Sequence, residues 1–222
     1  MVTLSFQPIK MKKQLGIIIL LLVLFGVIRW LTVQPWFLLV DIALLKGLEP
    51  LREPGVVHFF IWMTELGSSN WLIIFVAIGM AMLIYLHRPI GAVLFVINFL
   101  GARLLNLLLK LAFVRMRPDL HHFIDVSGYS FPSGHAMNAI SVYGCTIYIL
   151  NKLIKRKVLS YLITVVFVLL IVLIALSRPM LDVHYFTDIA GGLSGGGIWL
   201  TFTILLMDRY VFRRRRRTDT RD

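Results

Sequence analysis

The sequence predicts an all-α fold: a polytopic membrane helix bundle forming a single domain over residues 1–222. Three observations predict it. The chain is 59% hydrophobic and only 15% charged, against about 25% charged in an ordinary soluble domain. Its apolar residues are gathered into long runs, each near the roughly 20 residues a helix needs to cross the hydrocarbon core. Basic residues punctuate those runs in a pattern that alternates along the chain.

Six runs read as spanning helices: 15–33, 70–86, 90–111, 134–150, 158–176 and 189–207. The first follows the basic stretch MVTLSFQPIKMKKQLG. No small-residue cleavage site follows it, so it reads as a retained span and not a signal peptide. Between the first two spans lie WFLLVDIALLKGL and VVHFFIWMTELGSS. Charges, prolines and glycines interrupt both, so they read as interfacial or partly inserted short helices. The second runs on into span two past a bend at Gly67, Ser68 and Ser69; full insertion of both would raise the count to eight. Trp30, Trp36, Trp62 and Trp71 suit an interfacial belt or the core.

With six spans, the basic clusters at Lys10/Lys12/Lys13, His87/Arg88, Lys152/Lys155/Arg156/Lys157 and Arg209 with the arginines of 213–217 share one side. The positive-inside rule makes that side, and both termini, cytoplasmic. The formal net charge of +12 would suggest nucleic acid in a soluble protein. In a tail (208–222) that directly follows a span, it reads as an anchor on anionic lipid headgroups, with no nucleic acid. The single cysteine, Cys145, lies within an apolar run and reads as a buried small hydrophobe.

Lys110, Arg115, Arg117 and Arg178 fall on the opposite, outer side, where topology gives basic residues no purpose. They belong to three patterns at that boundary: KLAFVRMRP (Lys110–Pro118), PSGH (Pro132–His135) and SRPMLDVHYFTD (Ser177–Asp188). Arginine forks match phosphate oxygens and lysine adds a mobile charge. Ser133 and Gly134 open span four, and the free N–H groups of a helix start attract an anion. His184 and Asp188 are four apart and share a face if the helix has begun by then. A carboxylate on one ring nitrogen fixes the tautomer and leaves the other nitrogen as a nucleophile. His135 is placed to protonate a leaving oxygen. A nucleophile, an orienting carboxylate, an acid and an anion clamp describe phosphoryl transfer without a metal or other cofactor.

The three patterns, in this order and spacing, resemble the signature of the type 2 phosphatidic acid phosphatase family, the lipid phosphate phosphatases. By motif the resemblance covers residues 103 to 188. It implies that His184 is the nucleophile, Asp188 its partner and His135 the general acid, with Lys110, Arg117, Ser133, Gly134 and Arg178 holding the phosphate. It implies a multi-pass cell-membrane enzyme with its site on the extracytoplasmic side. Its partner there is a lipid phosphate: phosphatidylglycerophosphate, phosphatidate or undecaprenyl pyrophosphate.

Each histidine alone is more simply an interfacial or packing residue, and the cations could be snorkelling side chains. The joint pattern outweighs those readings. A phosphotransferase using the same intermediate is the nearest alternative. An anion transporter is another, but it has no use for a carboxylate-oriented histidine. Arg103, placed inside span three, needs a partner, and Glu65 or Asn98 is the expected one. The loop DLHHFIDVSGY carries His121 and His122 at a spacing that fits no standard zinc pattern.

Overall fold

The computed structural model describes residues 11–219, with side chains through Tyr210. Expectations for Lys10, for the side chains of the 213–217 arginines and for residues 220–222 lie outside that range. Within it, all regular structure is helical: α1 Met11–Thr32, α2 Pro35–Lys46, a 3-10 turn Glu49–Leu51, α3 Pro54–Glu65, α4 Ser69–Tyr85, α5 Pro89–Phe113, α6 Gly134–Leu153, α7 Lys157–Met180 and α8 Phe186–Asp219.

The helix starts follow local chemistry. Proline opens α2, α3 and α5, where its missing N–H costs nothing and its φ is already helical. Ser68 caps α4 by accepting from the Trp71 backbone N–H. α5 ends at Val114 in the left-handed conformation, φ 49°. α8 does not stop at residue 207 as the apolar run suggested. No glycine or proline follows in DRYVFRRRRRTD, and the helix continues to Asp219.

Four helices, α1, α5, α7 and α8, are long and apolar enough to cross a membrane. A fifth candidate is α3 with α4, bent by 48°; the bend falls at Gly67–Ser68, as expected. α6, with Asn138, Ser141 and Thr146 along it, falls outside that set. The bundle nevertheless closes around α6, which packs against α5, α7 and α8, while α1 lies along α8.

The packing is a matter of fit, since lipid tails are as apolar as the side chains. Phe95, Phe99, Tyr143, Cys145 and Ile174 form the core between α4, α5, α6 and α7. α8 reaches α6 through a glycine face. A Cβ on Gly192 would stand 2.5 Å from the Ser133 carbonyl oxygen, and one on Gly196 2.5 Å from that of Met137. Those glycines, in the second and third turns of α8, bring it against the first turn of α6. Trp30, Trp36, Trp62 and Trp71 are exposed on the bundle surface.

Arg103 does not pair with Glu65 or Asn98. Its guanidinium donates to Ser69 Oγ and lies 5.6 Å from the Phe99 ring centroid. Asn98 instead donates to Thr203 Oγ1 at 2.9 Å. The bend between α3 and α4 puts a hydroxyl nearer to Arg103 than either expected partner.

Candidate active site

The site lies at the end of the bundle where α5 and α7 finish and α6 and α8 begin. The three sequence patterns converge there. Ser133 is the N-cap of α6 and Gly134 its first residue, as the sequence predicted. Asn106 of α5 holds this start in place: its Nδ2 donates to the Pro132 carbonyl at 3.1 Å. The Ser133 N–H donates to the Asp188 carbonyl at 2.9 Å, joining the α6 and α8 starts directly.

His184 is reached differently from the expectation. α8 begins at Phe186, so His184 lies before the helix and not on its face. A turn at Asp182, φ 58°, folds the chain back. The Asp188 carboxylate then accepts the Tyr185 N–H at 2.9 Å, capping the helix start from inside. Arg52 fastens the same turn: it reaches Asp182 Oδ1 at 2.6 Å and the Met180 carbonyl at 3.2 Å.

His184 and Asp188 are both buried. Their direct contact, Nδ1 to Oδ2, is long at 3.4 Å. Ser130 sits between them: its hydroxyl donates to Asp188 Oδ2 and stands 3.2 Å from His184 Nδ1. With its proton committed to the carboxylate, the hydroxyl can only accept from Nδ1. On the other side of the ring, Arg117 Nη1 stands 3.2 Å from Nε2. A guanidinium only donates, so Nε2 carries the lone pair and Nδ1 the proton. Burial, and after it the cations Arg178, Arg117 and Lys110, hold the His184 imidazole well below the usual histidine range. The ring is therefore neutral, with its free nitrogen turned toward Arg117.

The three cations expected to hold an anion all lie within electrostatic reach of that ring. Arg117 is fixed by the carbonyls of Gly128, Val183 and Ser127 at 2.7–3.0 Å. Lys110 Nζ donates to the Tyr129 carbonyl at 2.6 Å. Arg178 is buried and donates to Thr64 Oγ1 at 2.5 Å. Two buried groups of the set have no hydrogen-bond partner among the described residues: Ser133 Oγ and Arg178 Nε. Unmatched buried donors are costly, and both belong to residues expected to hold phosphate. His135 lies within electrostatic reach of Arg178, His184, Lys110 and Arg117. Its ring packs against Gly67, where an added Cβ would stand 3.0 Å from His135 Cδ2. All eight predicted residues thus gather at one place.

Several neighbours were not assigned from sequence. Ser130 carries no pattern of its own. Thr64, Gly67 and Asp41 come from the stretches that read as interfacial or partly inserted short helices. Arg115 was noticed for lying on the wrong side, and it is this residue that meets Asp188 Oδ1, at 2.6 Å. His121 packs edge-on against Phe123, and His122 Nε2 lies 2.9 Å from the Pro118 carbonyl. Among the described residues no three His, Cys, Asp or Glu side chains form a metal-holding group.

A fold of apolar helices with a histidine–carboxylate pair inside a ring of cations defines a membrane phosphoryl-transfer protein. Residues 89–212 match the PAP2 superfamily, and the chain belongs to it. It is 34% identical over 212 residues to phosphatidylglycerophosphatase B of Bacillus subtilis (strain 168), covering 93% of this chain and 100% of that one. It is 29% identical over 180 residues to the lipid A 4'-phosphatase of Porphyromonas gingivalis, covering 72% and 70%. The crystal structure of a transmembrane PAP2-type phosphatidylglycerolphosphate phosphatase from Bacillus subtilis superposes with a TM-score of 0.80 at 30% identity, over 84% of this chain and 93% of that one. This chain is a multi-pass membrane lipid phosphate phosphatase.

Proposed function

We propose that the enzyme hydrolyses the terminal phosphate of a membrane lipid through a phosphohistidine on His184, without a metal, at the extracytoplasmic face. The observation that carries this reading is the state of the His184 ring: Nδ1 is committed to Ser130 and Asp188, and Nε2 accepts from Arg117. A lone pair so presented among cations suits attack on phosphorus. Lys110, Arg117, Arg178, Ser133 Oγ and the N–H groups opening α6 at Gly134 hold the phosphoryl oxygens and offset the charge that develops on them. As the Nε2–P bond forms and the P–O bond to the leaving group breaks, His135 gives its proton to the departing oxygen. Water, deprotonated by His135, then cleaves the N–P bond and regenerates His184.

The face follows from charge. With α6 and the α3–α4 pair each crossing once, six spans put both termini and the basic tail beside cytoplasmic anionic headgroups, and the site on the other side. Phosphatidylglycerophosphate is the favoured substrate, supported by full-length similarity to a phosphatidylglycerophosphatase. Phosphatidate and undecaprenyl pyrophosphate are the other members of the class to test.

The experiment is phosphate release by the purified protein from a panel of these lipids. His184→Ala should lower turnover at least about a thousandfold while the protein stays folded. Full turnover by that variant defeats the mechanism. Chelator should leave activity intact. Appearance of labelled phosphate in a second lipid, with none free, would make the enzyme a phosphotransferase.

A further inference from the structure

Arg115 lies inside KLAFVRMRP but is neither the lysine nor the Arg-Pro of that pattern. Its guanidinium is divided between two buried carboxylates. Nη1 meets Asp188 Oδ1 at 2.6 Å and Nη2 meets Asp41 Oδ2 at 2.9 Å. Nη1 also donates to Thr187 Oγ1 at 2.7 Å, and the guanidinium carbon lies 4.3 Å from the Tyr185 ring centroid. Asp41, from α2, accepts in turn from the Thr187 N–H at 3.2 Å and from the Thr187 hydroxyl. The Arg115 carbonyl accepts the Ser130 N–H at 2.7 Å. One residue therefore holds both groups that meet His184 Nδ1: Asp188 by its side chain and Ser130 by its backbone.

The approach of the chain to this position is itself unusual. Val114, just before Arg115, is left-handed at φ 49°. That conformation is rare for a β-branched side chain and costs about 1–2 kcal/mol. It turns the chain off the end of α5 and directs Arg115 inward. Strain of this kind persists only where surrounding contacts hold it.

We propose that Arg115, braced by Asp41, is a positioning residue for catalysis that fixes the Asp188 carboxylate and Ser130 and thereby aims His184 Nε2. It touches the orienting carboxylate, whereas the phosphate is assigned to Lys110, Arg117 and Arg178. This rests on His184 being the nucleophile. The effect of Arg115 should fall on turnover and leave substrate binding alone.

The test is steady-state kinetics of the purified full chain on phosphatidylglycerophosphate in mixed micelles, normalised to folded protein by thermal unfolding. Arg115→Lys keeps a charge but cannot bridge two carboxylates. It should lower kcat about tenfold, with KM and inhibition by inorganic phosphate within about twofold of wild type. Arg115→Gln should lower kcat about a hundredfold where it folds; if it does not fold, Arg115→Lys decides. Asp41→Asn should lower kcat about fivefold alone and add nothing in the Arg115→Lys background. An unchanged kcat in Arg115→Lys, or a loss confined to KM, overturns the proposal. Full additivity with Asp41→Asn removes Asp41 from it. His184→Ala run alongside separates the two readings: retained activity there defeats the mechanism, whereas its loss beside a normal Arg115→Lys defeats only this inference.

Discussion

α8 carries two buried aspartates, Asp188 in its first turn and Asp208 further along. Twenty residues separate them, about 30 Å along a helix, so they mark opposite ends of the bundle. Asp188 faces a guanidinium, a serine hydroxyl, a backbone N–H and the His184 ring. Asp208 meets neutral donors: Gln14 Nε2 at 3.0 Å and the Tyr148 hydroxyl at 2.6 Å. The first carboxylate contacts an imidazole and a guanidinium, and in the proposed mechanism it aims the ring. The second ties α1, α6 and α8 together. Burial is common to both acids, and only the identity of their partners sets them apart.

The strongest way to break the comparison is to substitute both acids alike. Asp188→Asn should lower kcat about a thousandfold or more, because an amide can present its N–H to Nδ1 and select the wrong tautomer. Asp208→Asn should leave kcat within about twofold and change stability by about 1 kcal/mol, the scale of one hydrogen bond. Steady-state kinetics and denaturant titration read the two effects, and equal losses of activity would erase the distinction.

Packing gives a second, smaller test. Gly192→Ala places a methyl against the Ser133 carbonyl, a backbone atom that cannot step aside. It should separate the α6 and α8 starts, costing about 1–3 kcal/mol and lowering kcat about tenfold or more through displacement of Ser133. An active, undiminished Gly192→Ala enzyme would show that the two starts tolerate separation.

The mildest expected effect is on pH. In the proposed mechanism His184 must be neutral to attack, and its surroundings hold its pKa below the ordinary histidine value of about 6.5. As pH falls through that value the ring stays neutral, so kcat/KM should persist into more acidic solution than an exposed histidine would allow. An acidic limb centred at or above about 6.5 would contradict the buried, cation-surrounded environment.

Much of this was legible in the sequence because its signals are local or short-range. Most helix limits lie near the ends of the apolar runs, and the predicted start of α6 at Gly134 is the observed one. The eight site residues sit in three recognisable patterns and do converge. Other features were not legible, for reasons that are physical. The end of α8 was misplaced because a helix can outlast its apolar run where nothing breaks it. The partner of Arg103 was missed because depth estimated from numbering does not say which side chain the α3–α4 bend turns inward. Ser130 and Asp41 have no periodic or motif signal, and their roles come from contacts across 58 and 146 positions of chain.

The sequence by itself determined the class of this protein: apolar runs long enough for a membrane, and three clusters of polar residues whose chemistry is phosphate chemistry. Tertiary structure decided how those clusters are arranged. Only the closed bundle brings α2 to α8 and lets Ser130 stand between His184 and Asp188. Only there does Arg115 turn into the interior instead of lying on the surface. The physical reason is that residue identity fixes what a group can donate, accept or ionise, while orientation depends on neighbours supplied by distant parts of the chain.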